Sequence, residues 1–115
     1  MYRSKLEERL AKSLENKGVP FLYEPESYEY TLVSRYKPDF HLPNGVIIES
    51  KGFFPPSDRR KTLAIIKQYP DLDLRFVFQT DQKLSKKSKL TYGSWCDKHS
   101  ILWCVYPHIP DDWLP

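Results

Sequence analysis

Long apolar runs are missing from this 115-residue sequence, and cysteine is scarce. No stretch approaches the roughly 20 apolar residues that a membrane-spanning helix needs, and the start, MYRSKLEERL, has no apolar signal-peptide core. Two cysteines, Cys96 and Cys104, are too few for a disulfide framework. These absences argue against a membrane protein and a disulfide-rich scaffold, so we expect a cytoplasmic protein with reduced thiols and no membrane partner.

The composition is that of a globular domain, and its charge is unevenly distributed. Hydrophobic residues make up 40% of the chain and charged residues 29%, which predicts one domain over residues 1–115. The net charge is +3, but residues 51–90 hold ten Lys and Arg against four Asp and Glu, a local balance of +6. A concentrated positive region is typical either of a nucleic-acid-binding protein or of a solvated lysine face.

The N-terminal segment predicts an amphipathic helix. Ser4 and Glu7 have the spacing of a capping box, and Gly18 supplies a stop. On a helical wheel Glu7 borders the expected buried face, whereas Glu8 faces solvent. The expected buried stripe consists of leucines that recur every four residues: Leu6, Leu10 and Leu14.

The rest of the chain predicts an α/β fold with a mixed central sheet flanked by helices. Two aromatic-rich segments, 19–24 and 27–33, have the composition of strands on either side of Pro25. A second helix is expected from a Ser57 cap as far as Pro70. Four further elements follow: a strand over 71–78, a lysine-rich loop over 81–90, a short helix over 91–99 and a last strand over 101–106.

A β-hairpin is predicted where residues 39–42 and 46–51 flank the turn sequence PNG. A three-residue loop sets Asp39 opposite Glu49, whereas a two-residue Asn-Gly loop would set Asp39 opposite Ser50. Proline suits the first corner of a type I turn, so we prefer the three-residue loop.

This register brings three charged side chains onto one face of the hairpin: Asp39, Glu49 and Lys51. Two carboxylates at cross-strand distance repel each other, so their partial burial requires a lysine, a metal ion or both. Mg²⁺ typically binds through one or two carboxylates together with waters and phosphate oxygens, which suits phosphodiester hydrolysis. The alternative is a surface salt bridge of Lys51 with either acid.

The hairpin also carries a recognisable signature. "PDF" at 38–40 followed by "ESK" at 49–51 matches the PD-(D/E)xK nuclease motif. Further segments resemble the phage endonuclease I family, the junction-resolving nucleases of bacteriophages, along nearly the whole chain: RSKLEERLAKSLENKGVPFLYE, YKPDFHLPNGVIIESKG, DRRKTLAIIKQYPDLDLRFVF and YGSWCDKH. The resemblance implies a restriction-endonuclease-like PD-(D/E)xK core.

The same resemblance implies a Mg²⁺-dependent endonuclease that acts on branched DNA such as four-way (Holliday) junctions in a phage-infected or prophage-carrying bacterium. Mn²⁺ is expected to substitute for Mg²⁺, because octahedral oxygen sites accept both. It implies an intertwined, segment-swapped homodimer with two active sites. Glu7 falls on the family's helix-borne acid, Asp39 and Glu49 fall on its metal-binding carboxylates, and Lys51 falls on its catalytic lysine.

Two departures from the family pattern leave alternatives open. We expect the chain to lack the basic extensions that typically flank the family's core, and we expect the stretch over 24–37 to be shorter than the family's bridge. We therefore expect weaker junction binding, and a monomer that nicks DNA is a second interpretation. Sequence-directed nicking or homing endonucleases on the same core, and a non-catalytic DNA-binding module, are the competing functions.

Two further sets of side chains are candidates for binding. Cys-x2-His followed by Cys-x3-His is close to zinc-ligand spacing, although Cys104 is better explained as a core residue. The three tryptophans are expected to pack rather than stack on bases. The predicted DNA-phosphate contacts are Arg3, Lys37, Arg59, Arg60, Lys61, Lys86 and Lys87, and the zinc alternative comprises Cys96, His99, Cys104 and His108.

Overall fold

The computed structural model describes all 115 residues, which form two compact units, Met1–Ser34 and Arg35–Pro115. None of the helices combines the length and the apolarity that crossing a bilayer requires. In the first unit, helix α1 (Lys5–Asn16) begins at the predicted capping box, because Ser4 Oγ accepts from the Glu7 N–H and the Glu7 carboxylate accepts from the Ser4 N–H.

The predicted buried stripe of leucines on α1 is wrong for the single chain. Leu6 is 73% exposed and Leu10 is also largely exposed, whereas Ala11 is the buried residue of the helix. Glu7 is half-buried and Glu8 is exposed, as predicted. A four-residue repeat identifies a helix with an apolar face, but it does not say what covers that face.

The two predicted strands over 19–24 and 27–33 are not formed, since residues 19–38 contain neither helix nor strand. Strand propensity measures how well a side chain fits a pleated surface that neighbours cover. Here the aromatic and branched side chains have no such surface: Tyr28, Tyr30, Leu32 and Val33 are almost entirely exposed.

The second unit is built on a four-stranded mixed sheet, which confirms the predicted α/β class. The strands lie in the order β1-β2-β3-β4, with β1 antiparallel to β2 and the other pairs parallel. Helices occupy both crossovers between parallel strands, as such connections require. The elements are β1 (Phe40–His41), β2 (Val46–Lys51), α2 (Pro56–Gln68), β3 (Asp73–Phe78), α3 (Tyr92–Lys98), β4 (Trp103–Val105) and a 3-10 turn (Asp111–Trp113).

The β1–β2 hairpin has the predicted three-residue loop. Phe40 pairs with Ile48 and His41 with Ile47, and the loop closes through a 2.8 Å bond from Leu42 N to Val46 O. Gly45 has a φ of 90°, a left-handed value that favours glycine. Continued by one residue, this register sets Asp39 opposite Glu49.

Hydrophobic side chains cover both faces of the sheet, which explains why β2 and β3 are almost continuously apolar. Strand alternation places Ile47 on one face and its neighbours on the other, as the sequence predicted. The first face packs with α2 and α3 around Ile47, Phe54, Leu74, Phe76, Phe78, Tyr92, Trp95, Cys96 and Ile101. The second face holds a smaller cluster of Val46, Ile48, Val77, Cys104 and Trp113.

The sheet separates the two cysteines, so the zinc alternative is not supported. Cys96 belongs to the core cluster under α3, whereas Cys104 belongs to the cluster on the opposite face. No group of three or more His, Cys, Asp or Glu side chains in residues 35–115 has the arrangement of a metal-binding cluster. Burial raises the pKa of the Cys96 thiol to about 12, so this side chain stays a neutral core residue. The tryptophans pack as predicted, with Trp95 and Trp113 buried and Trp103 half-buried.

Helix α2 begins earlier than predicted, and its cap is different. The cap residue is Pro55 and Pro56 is the first helical residue, so Ser57 lies inside the helix and does not cap it. Proline is favoured at this position because its fixed φ suits a helix and its missing N–H would have no partner there. The helix ends at Gln68, and Asp58 lies in its first turn.

Candidate active site

Glu49 is a buried acid near the carboxyl end of the central strand β2. Its residue surface is only 7% exposed, although it carries a carboxylate. Tyr36 Oη donates to Glu49 Oε1 at 2.9 Å, and Lys51 Nζ lies 3.5 Å from Glu49 Oε2. A buried carboxylate needs such partners, because desolvation of an unpaired charge costs several kcal/mol. Of the predicted common face of Asp39, Glu49 and Lys51, the structure confirms the pairing of Glu49 with Lys51, and the lysine acts as a compensating cation.

Lys51 is shared between Glu49 and Asp58, of which only Glu49 was predicted to lie beside it. Its Nζ lies 3.0 Å from Asp58 Oδ2, closer than to Glu49. Asp58 comes from the first turn of α2, seven residues further along the chain. The only sequence signal for the role of Asp58 is its position just after the Pro-Pro pair that starts the helix. The rest of that segment is notable mainly for its basic residues.

Asp39 lies at the start of the hairpin and is bonded to Ser50 rather than to the Glu49–Lys51 pair. Its Oδ2 accepts from Ser50 N at 2.9 Å and from Ser50 Oγ at 2.8 Å, which leaves Oδ1 without a protein donor. The backbone N–H of Ser50 and then its hydroxyl hold the pKa of the Asp39 carboxyl below its usual range, and Lys51 adds a smaller effect. Asp39 is therefore ionised at neutral pH.

Replacement of Ser50 by alanine tests this arrangement. We expect Ser50→Ala to raise the pKa of Asp39 part of the way toward its ordinary value of about 4, because the hydroxyl is lost and the backbone donor remains. A lowered folded-state pKa stabilises the fold above the unfolded pKa, and this stabilisation fades as pH falls through the folded value. The variant should therefore be less stable than wild type at neutral pH and equal to it in strong acid.

The measurement is the ¹³Cγ chemical shift of Asp39 across a pH titration, with thermal unfolding at pH 7 and pH 2. Ser57→Ala is the matched control, since Ser57 is an exposed serine with no side-chain hydrogen bond to Asp39. An Asp39 titration curve that coincides in wild type and Ser50→Ala would contradict the assigned role of the hydroxyl.

Tyr36 lines the same pocket as Glu49 and Lys51. Burial, followed by its hydrogen bond to Glu49, raises the pKa of Tyr36 well above its ordinary value, so the phenol remains a donor. The Lys61 ammonium lies 5.2 Å from the centre of the Tyr36 ring, in a cation–π arrangement. Together these side chains enclose a pocket of about 120 Å³ that is lined by Tyr36, Lys37, Glu49, Lys51, Asp58, Lys61 and Thr62.

The predicted phosphate contacts fall into separate groups. Lys37 and Lys61 line the pocket. Arg59 does not point to it, because its guanidinium donates to Phe54 O at 2.8 Å. Because α2 begins at Pro56, Arg59, Arg60 and Lys61 lie after its first three residues and not at its N-terminus. The remaining predicted contacts in this unit are exposed: Arg60, Lys86 and Lys87.

Glu7 and Arg3 belong to the Met1–Ser34 unit. The Glu7 carboxylate accepts from Arg3 N at 2.7 Å and from Tyr23 Oη at 3.0 Å, in addition to its capping bond. The backbone donor at Arg3, followed by the Tyr23 hydroxyl, lowers the pKa of Glu7. The Arg3 guanidinium forms an ion pair with Glu24.

The acids of the second unit have the chemistry that a hard divalent cation requires. Asp39, just before β1, and Glu49, in β2, offer carboxylate oxygens, and Oδ1 of Asp39 has no competing donor. Magnesium needs no more than one or two carboxylates when water and phosphate oxygens complete its shell. The residues present therefore fit a magnesium ion, even though no three of them form a cluster.

Comparisons with known proteins identify the family of the chain. A family model described as "Phage endonuclease I" matches residues 1–115. The chain is 47% identical over 105 residues to Endodeoxyribonuclease 1 of Enterobacteria phage T3, a match that covers 88% of this chain and 69% of the relative. It is 42% identical over 117 residues to Endonuclease I of Escherichia phage T7, which covers 98% and 78%. The chain therefore belongs to the phage endonuclease I family.

Proposed function

We propose that the protein is a Mg²⁺-dependent endodeoxyribonuclease of the PD-(D/E)xK type, which hydrolyses phosphodiester bonds of branched DNA such as four-way junctions. The observation that carries the proposal is the ion pair between buried Glu49 and partly buried Lys51 at the end of β2, in the hairpin that also carries the ionised Asp39. The chain belongs to a family whose relatives are named endonucleases, which supports a role for this arrangement in DNA hydrolysis. Mn²⁺ is expected to substitute for Mg²⁺, because both accept octahedral oxygen ligands.

Each side chain of the site has a role in this reaction. Asp39 and Glu49 would hold the metal, which supplies positive charge to the phosphate oxygens and makes a bound water more acidic. Lys51 brings an ammonium to the same point, where it stabilises the negative charge that develops on the scissile phosphate. Tyr36 keeps Glu49 oriented through its hydroxyl. We assign Glu7 a catalytic role on the family resemblance alone.

Basic side chains around the site are proposed to bind the DNA backbone. Lys37 and Lys61 line the pocket, so they are suited to phosphates next to the scissile one. Exposed cations at a greater distance contribute through charge and counterion release, which makes binding sensitive to salt. Contacts of this kind position DNA without reading its sequence, which suits an enzyme that recognises a branch. The more distant contacts are Arg60, Lys86 and Lys87.

Two copies of the chain are proposed to act together, because complete resolution of a junction requires two cuts. The exposed apolar side chains of the Met1–Ser34 unit support a segment-swapped homodimer, since a monomer rarely exposes so many. The side chains that a second copy would cover are Leu6, Leu10, Leu22, Tyr28, Tyr30, Leu32 and Val33.

The test is cleavage of a labelled four-way junction beside its matched linear duplex, in Mg²⁺ and in EDTA, with Glu49→Ala as the inactive control. We expect paired cuts at the branch point that require Mg²⁺ and are lost in the variant. Single nicks in the linear duplex would instead indicate that the enzyme is a sequence-directed nicking endonuclease. Binding of both substrates without cleavage of either would overturn the enzymatic proposal in favour of a DNA-binding module.

A further inference from the structure

Asp58 is the one acid of the pocket to which neither the sequence nor the family resemblance gives a role. Its Oδ2 lies 3.0 Å from Lys51 Nζ, whereas Glu49 Oε2 lies 3.5 Å from the same nitrogen. Both partners of the closer pair are partly buried, with 24% of the Lys51 side chain and 33% of the Asp58 side chain exposed. Partial burial strengthens an ion pair relative to one in bulk water.

The backbone that carries Asp58 is fixed in place. The Asp58 carbonyl accepts from Thr62 Oγ1 at 2.8 Å, and the Arg59 guanidinium bonds Phe54 O at 2.8 Å. Phe54 is fully buried in the main core cluster, so these contacts tie the first turn of α2 to the core. Asp58 is thus a rigid anchor for a lysine whose four-carbon stem is flexible.

Glu49 by itself is a poor anchor for Lys51 in the reaction proposed above. Once Glu49 shares its negative charge with a divalent cation, its attraction for the lysine falls and the cation repels the ammonium. A second carboxylate that does not bind the metal would keep Lys51 beside the phosphate. Asp58 is placed to do this, because it approaches Lys51 from α2 and accepts from its ammonium at 3.0 Å.

We propose that Asp58 is a positioning residue that holds the Lys51 ammonium in the pocket while Glu49 binds the divalent cation. This role rests on the proposed nuclease function. It differs from the stabilising effect that any acid has in the first turn of a helix, because the helix dipole responds to charge alone. The role in positioning depends on the charge and on the direction of the carboxylate.

Asp58→Asn and Asp58→Glu separate the two explanations. Asparagine removes the charge, and we expect the single-turnover cleavage rate to fall by about 10- to 100-fold, the usual cost of losing a group that orients a catalytic side chain. DNA affinity should be unchanged or higher, because a negative charge leaves a phosphate-binding pocket. Glutamate restores the charge at the same helix position but moves the carboxylate by one methylene. A dipole effect alone would therefore be fully recovered, whereas we expect Asp58→Glu to regain the thermal stability but only part of the cleavage rate. Asp73→Asn is the matched control, since Asp73 pairs with Arg75 outside the pocket.

A second measurement follows Lys51 directly and does not depend on activity. The ¹⁵N signal of the Lys51 ammonium, identified by its loss in Lys51→Arg, should show slow proton exchange with water in wild type and fast exchange in Asp58→Asn. An unchanged exchange rate in Asp58→Asn would overturn the proposal, as would rate losses that only follow the thermal stability of the variants. Failure of wild type to cut any DNA would instead overturn the proposed function, and the exchange measurement would still decide whether Asp58 holds Lys51.

Discussion

Glu49→Gln is expected to lower the rate of DNA cleavage by at least about 10³-fold while the protein still binds DNA. Glutamine has nearly the same shape and keeps an acceptor for the Tyr36 hydroxyl, but it has no charge to hold a cation or to face Lys51. Loss of metal-derived stabilisation of the transition state is worth several kcal/mol, and about 4 kcal/mol corresponds to about 10³ in rate. The measurement is single-turnover cleavage in Mg²⁺, with DNA affinity determined by fluorescence anisotropy in EDTA.

Glu8→Gln is the control for Glu49→Gln, because it makes the same chemical change at an exposed glutamate. It should cleave DNA at the wild-type rate. Thermal unfolding followed by circular dichroism shows whether Glu49→Gln is folded at the assay temperature. A folded Glu49→Gln protein that cleaves within tenfold of wild type would refute the assignment of Glu49 as a metal ligand.

Phe54→Ala is expected to reduce the free energy of unfolding by about 3–5 kcal/mol, which is the usual cost of deleting a buried aromatic ring. Phe54 has no exposed surface, and its ring centre lies 5.2 to 5.9 Å from four other aromatic ring centres. A loss of this size is a large fraction of the 5–15 kcal/mol that stabilises a typical domain. The neighbouring rings belong to β3 and α3: Phe76, Phe78, Tyr92 and Trp95.

The adjacent phenylalanine provides a matched control for Phe54→Ala. Phe53 is 71% exposed, so Phe53→Ala should change the free energy of unfolding by less than about 0.5 kcal/mol. Both variants are measured by urea denaturation at the same temperature, with the slope checked for a change in the exposed area. Equal destabilisation by the two substitutions would show that the core is not centred on Phe54.

The hairpin was the part of the fold that the sequence predicted best. Pro43 in the turn sequence PNG selects a three-residue loop, and that loop alone fixes the pairing that sets Asp39 opposite Glu49. Alternation along β2 then places Lys51 on the same face as Glu49. These features depend on residues close together in the chain, so local rules suffice to predict them.

The errors arose where a pattern depends on neighbours that are distant in the chain. Aromatic residues over 27–33 have high strand propensity, but no strand lies beside them and they form none. The leucine repeat of α1 predicted a helix correctly, whereas the burial of Leu6 and Leu10 depends on a covering surface that the unit does not supply. Periodicity shows that a helix has an apolar face, but that face is buried only if a second surface covers it.

The sequence by itself determined the α/β class, the hairpin register and the placement of Glu49 and Lys51 on one face, because turn chemistry and strand alternation act over a few residues. Only the tertiary structure decided that Asp58 approaches Lys51, that Tyr36 bonds Glu49 and that Phe54 rather than Phe53 fills the core. These contacts depend on how α2, α3 and the segment before β1 pack against the sheet. Packing is set by the shapes of many side chains at once, and no local pattern records it.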